Sequence, residues 1–139
     1  MMRCLALMLF AAFLFVIPED ADAQNCPALA QEGHWENVRQ ETNVLSRIEI
    51  VRDCEAGEEG PVRVRAFEKC HPRDCSWGWV TAGFDDRGRL IAKFATFTAD
   101  RYLIVEPMNL RMRVDLALDF RDDEKKDTVS SFVLVKRAR

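Results

Sequence analysis

The sequence predicts an all-β domain: a small eight-stranded antiparallel meander barrel with two disulfides. Three observations carry this. From Leu110 to Arg121 apolar and polar residues alternate at eleven of twelve positions, broken only by Ala117, the period of a half-buried strand. Turn-forming clusters such as Glu55 to Pro61 and Asp85-Asp86-Arg87-Gly88 separate short runs of the same kind. Four cysteines follow an export-type leader, the even count of a disulfide framework.

The elements fall in order. Arg3 precedes an apolar run from Cys4 to Ile17, and Pro18 to Ala23 is polar with alanines at 21 and 23. This is the layout of a secretory signal cut after Ala23. The run is shorter than the roughly 20 residues of a spanning helix. Ala23-Gln24-Asn25 before Cys26 lacks the Leu and small residues of a lipobox. The expected location is therefore secreted or periplasmic, and the mature chain is not an integral membrane protein.

Residues 24–32 form a polar tail, and residues 33–139 the barrel domain. The expected strands are His34–Arg39, Arg47–Cys54, Val62–Lys69, Trp77–Phe84, Arg89–Phe97, Arg101–Glu106, Leu110–Arg121 and Thr128–Arg137. Short connections favour antiparallel neighbours, because parallel pairing needs long crossovers. Consecutive strands tend to sit side by side, which gives a meander. Closing eight strands removes exposed edges, and the interior then just fills or holds one small ligand. A two-sheet sandwich is the structural alternative.

Of 20 basic and 23 acidic residues, the signal removes one and three, so the mature chain has a net charge of −1. That balance disfavours nucleic acid, whose binders carry excess Lys and Arg. Cys26, Cys54, Cys70 and Cys75 allow three pairings, of which Cys70–Cys75 and Cys26–Cys54 are favoured. The first closes a turn between two strands, and the second ties the tail to a strand end. Cys-x4-Cys with only His34 and His71 at hand is not a usual zinc spacing, so neither a metal nor a cofactor is expected.

Two local patterns resemble known proteins. Gly33-His34-Trp35 opens the first strand as Gly-x-Trp opens the barrel of lipocalins. A similar opening occurs in avidins and in small bacterial metalloprotease inhibitors. The lipocalin resemblance implies a basic residue, Arg137 or Arg139, packed over Trp35. The lipocalin Thr-Asp-Tyr element and C-terminal helix are missing. Lys69-Cys70-His71-Pro72-Arg73-Asp74-Cys75-Ser76-Trp77-Gly78 is similar to the Lys-Cys-His-Pro-x-Asp-Cys-x-Trp-Gly signature of uncharacterised secreted bacterial proteins. No activity comes with that signature.

Two candidate sites emerge. Trp77, Trp79 and Thr81 share a parity on one strand and could line a ligand pocket, or simply fill the barrel. His71, Arg73 and Asp74 stand on a disulfide-closed loop stiffened by Pro72, a rigid tip suited to a partner. The bland alternative is a stapled hairpin whose polar groups satisfy its own backbone. No serine sits in a nucleophile elbow, and no local catalytic signature appears. Paired Arg63, Arg65, Arg111 and Arg113 are expected on outer strand faces, balanced by carboxylates across the strands. The expected function is a non-catalytic binding module for a small hydrophobic or amphipathic ligand. The alternatives are a protein-binding inhibitor, for instance of a secreted protease, and a structural envelope protein.

Overall fold

The computed structural model describes residues 26–39, 41, 44–55 and 57–138. The expected signal peptide and its cut after Ala23 lie outside them, as does Arg139. The described elements are eight strands: β1 (Gly33–Asn37), β2 (Leu45–Glu55), β3 (Glu58–Glu68), β4 (Cys75–Phe84), β5 (Leu90–Ala95), β6 (Ala99–Met108), β7 (Arg111–Phe120) and β8 (Thr128–Arg137). They close in chain order into a barrel, every neighbour antiparallel, with β8 returning to β1. Among the described residues, no helix is long and apolar enough to cross a membrane.

Alternation builds the core. Ile48 and Ile50 of β2, Val64 of β3, Leu90 of β5, Leu103 and Val105 of β6, Met112 and Val114 of β7 and Leu134 of β8 are fully buried. They form one contiguous cluster with Trp35, Phe94 and Ala92. Burying each large side chain is worth about 1.5–3 kcal/mol before entropy is charged against it. Side chains fill this part of the barrel.

The tail is tied down as the cysteines suggest. Cys26 bonds Cys54 and Cys70 bonds Cys75. Leu29 packs on the core, and Trp35 Nε1 donates to Gln31 O at 2.9 Å. The cation over Trp35 is Lys136, its Nζ 5.4 Å from the ring, and not Arg137. Register explains the correction. Lys136 lies directly across from Trp35, whereas Arg137 faces His34 and donates to Glu36 at 2.6 Å. Gly33 makes room for this stack, since a Cβ there would lie 2.7 Å from Lys136 Cε.

One turn is tighter than the sequence suggests. Glu55 to Pro61 reads as a loop, yet β3 already begins at Glu58. Gly60 and Pro61 form a bulge opposite Asp53, where the β2–β3 register shifts. A Cβ at Gly60 would meet Asp53 O at 2.1 Å, so glycine lets the strand continue past a close backbone. Proline is tolerated there because a bulge residue need not donate to the ladder. Leu110, read as the start of the seventh strand, is an 88 % exposed turn residue beside Asn109, whose φ is 54°.

Pairing is uneven at two seams. β4 and β5 pair only from Ala82–Ala92 to Phe84–Leu90. β8 is ten residues long, but β1 covers it only from Leu134 to Arg137. Both seams loosen toward the end that carries the cysteine loop. The opposite end is closed by the tail.

Candidate functional site

Trp77, Trp79 and Thr81 do not share a face. Arg65 pairs with Trp79 while Phe67 pairs with Ser76, so β4 holds one residue more than β3 in that stretch. The extra residue is accommodated at Gly78, whose φ of +83° suits glycine. Parity therefore flips between the two tryptophans. Trp77 turns inward, edge-on to Phe94 with ring centroids 5.4 Å apart. Trp79 turns outward, 39 % exposed, between the guanidiniums of Arg63 at 5.4 Å and Arg65 at 4.7 Å. Thr81 is cross-strand to Arg63 on that same outer face.

Each tryptophan is already engaged. Trp77 Nε1 donates to Glu68 Oε2 at 3.0 Å, and Arg101 donates to the same oxygen at 3.2 Å. Arg101 also lies 4.5 Å over the Trp77 ring. These side chains bridge the β4–β5 seam where backbone pairing stops. Outside, the Arg63 fork donates to Asp53 at 2.8 and 2.9 Å, and its hydrogen bond holds the Asp53 carboxyl below the usual range. Arg65 pairs with Glu49. The outward arginines thus have the carboxylate partners that the sequence predicts for Arg63 and Arg65. Arg113 instead meets Asp115 of its own strand at 3.1 Å, and no ion pair engages Arg111 among the described residues.

The cysteine loop divides as well. His71 and Arg73 are exposed at its tip, beside a cis His71–Pro72 bond. Asp74 turns back. Its Oδ2 accepts from Ser46 Oγ at 2.8 Å, and Lys69 and Arg47 approach at 3.5 and 3.8 Å. Asp74 anchors the loop to β2, so of these three side chains His71 and Arg73 alone stay exposed.

The β1–β8 seam holds a groove that the sequence did not single out. Where β1 ends, a cavity of about 350 Å³ opens, lined by Asn37, Val38, Arg39, Glu41, Val44, Arg111, Ser131, Phe132 and Val133. Its walls combine apolar side chains with two arginines and one glutamate. Neither Arg39 nor Arg111 has a carboxylate partner among the described residues, unlike the arginines of β2 and β3. Apolar walls with a few charged groups are the makings of a site for an amphipathic molecule. One signal was present in the sequence. A first strand of six expected residues cannot cover a last strand of ten, so part of the last strand must lie bare.

Comparison of the chain with protein-family models, with curated proteins and with solved structures returns no match.

Proposed function

We propose that this chain is an exported, non-catalytic binding module that seats a small amphipathic ligand in the groove at the β1–β8 seam. The observation that carries the reading is the pair Arg39 and Arg111, neither with a carboxylate partner among the described residues, in one cavity with Val38, Val44 and Phe132. An apolar tail would lie on the valines and the phenylalanine while an anionic head meets the guanidiniums. The packed core favours the seam over the barrel axis, because the central side chains leave no exposed surface. Trp77 and Trp79 are spent on contacts within the protein, which moves the ligand reading away from them. Two disulfides suit a secreted or periplasmic setting, where such bonds persist.

Native mass spectrometry of the protein from its own exported fraction tests this. The reading expects a small extra mass that is lost on denaturation. It also expects decanoate to bind, and Arg39→Ala with Arg111→Ala to weaken that binding about tenfold, the worth of roughly 1.4 kcal/mol. A bare monomer that ignores decanoate would count against it. The alternative reading, a protein-binding inhibitor, draws on exposed His71 and Arg73 at the tip of the disulfide loop. It expects a co-purifying protein released by His71→Ala with Arg73→Ala.

A further inference from the structure

The groove has a backbone floor as well as side-chain walls. β1 leaves β8 after Val38, whose N–H donates to Val133 O at 3.2 Å. Backbone groups alternate sides along an antiparallel strand. Val129 and Ser131 therefore aim their N–H and C=O the same way as Val133, toward the place β1 has vacated. Among the described residues, β8 from Thr128 to Phe132 pairs with β7 alone. The run Thr128-Val129-Ser130-Ser131-Phe132-Val133 has no charge and no proline, the usual guards of a bare edge. Within it Val129 is 70 % exposed, and beside it Val38 is 57 % exposed.

We propose that this edge takes a short extended peptide bearing a carboxylate, added antiparallel to β8 in the place of the missing strand. The inference rests on the groove reading above and names the class of its ligand. Main-chain groups of Val129 and Ser131 bond the peptide backbone, which gives affinity without regard to sequence. An apolar peptide side chain lies against Val38, Val44 and Phe132. The carboxylate meets Arg39 and Arg111, whose two charges against that of Glu41 leave one positive charge in the groove. A second copy of the chain is less well suited, since residues 128–133 offer no carboxylate to those arginines.

The test is calorimetric titration of the intact disulfide-bonded protein with an acetylated peptide of alternating threonine and valine that ends in aspartate. Two further versions are methylated on one or the other alternate set of backbone nitrogens. Strand addition expects one methylated set to bind at least about tenfold more weakly and the other to bind like the parent, because only one set of N–H groups faces β8. Arg39→Ala with Arg111→Ala should weaken the parent peptide by a similar factor. If both methylated peptides bind like the parent, strand addition is overturned. If decanoate binds and the peptide does not, the groove reading stands and the peptide inference falls. If neither binds, both fall.

Discussion

Gly78→Ala is the sharpest probe of how β4 is built. The bulge puts this residue at a φ of +83°, where an L side chain costs roughly 1–2 kcal/mol. Nothing lies within 4 Å of the added Cβ, so no clash contributes and the whole cost is conformational. Stiffening of the unfolded chain returns about 0.4–1 kcal/mol. The net loss is near 1 kcal/mol. With a urea slope of roughly 1–2 kcal/mol per molar for a domain of this size, the unfolding midpoint falls by about 0.5–1 M. Gly83→Ala is the matched control. It lies on the same strand, also has nothing within 4 Å of its Cβ, and does not have a left-handed φ. There alanine gains both strand propensity and unfolded-state stiffness, and the midpoint rises. Urea unfolding followed by tryptophan emission reads both. Equal shifts in the same direction would refute the bulge, and with it the inward turn of Trp77 and the outward turn of Trp79.

Further outcomes follow from other parts of the barrel. Trp79→Phe should remove most of the acrylamide-quenchable emission, since Trp79 is 39 % exposed and Trp35 only 3 %; an unchanged quenching curve would place Trp79 inside. Replacing Cys26 and Cys54 by serine should cost about 3.5 kcal/mol and replacing Cys70 and Cys75 about 2, because the longer loop constrains the unfolded chain more. A reversed order, measured by chemical unfolding, would contradict the loop-entropy argument. The hydrogen bond from Lys93 holds the Asp100 carboxyl below the usual range, helped by the charges of Lys93 and Arg121. A depressed carboxyl stabilises the fold fully above its unfolded value near pH 4 and loses that contribution as pH falls through its folded value. The stability gap between the native protein and Asp100→Asn should therefore narrow below about pH 4; a gap that widens on acidification would reverse the sign.

Much of the barrel is legible in the sequence because burial writes a period of two into each strand. Met112 and Val114 between exposed Arg111 and Arg113 show it in β7, and the alternating Val62, Val64 and Ala66 do the same for β3. The cysteine pairings are legible from position, one within a turn and one tying a tail. The site is not legible in the same way. Reading Trp77 and Trp79 as one face assumes an unbroken strand, and a single left-handed glycine cancels that assumption. Gly78 could have raised the question, since glycine inside a strand often marks a bulge. Asp74 reads as a loop tip because the sequence does not show that Ser46, twenty-eight positions earlier, reaches its carboxylate. The seam groove depends on where β1 stops, and strand ends are set by tertiary pairing rather than by local pattern.

The most direct measurement is residue-resolved amide hydrogen exchange along β8. The bare edge predicts an alternating pattern. Ser130 and Phe132, whose N–H groups face β7, should exchange slowly, and Val129 and Ser131, facing the vacated place, should exchange fast. Adding the threonine–valine peptide should slow Val129 and Ser131 alone. Uniform protection from Thr128 to Val133 in the free protein would mean that the edge is already covered, and would contradict the seam on which the binding reading stands.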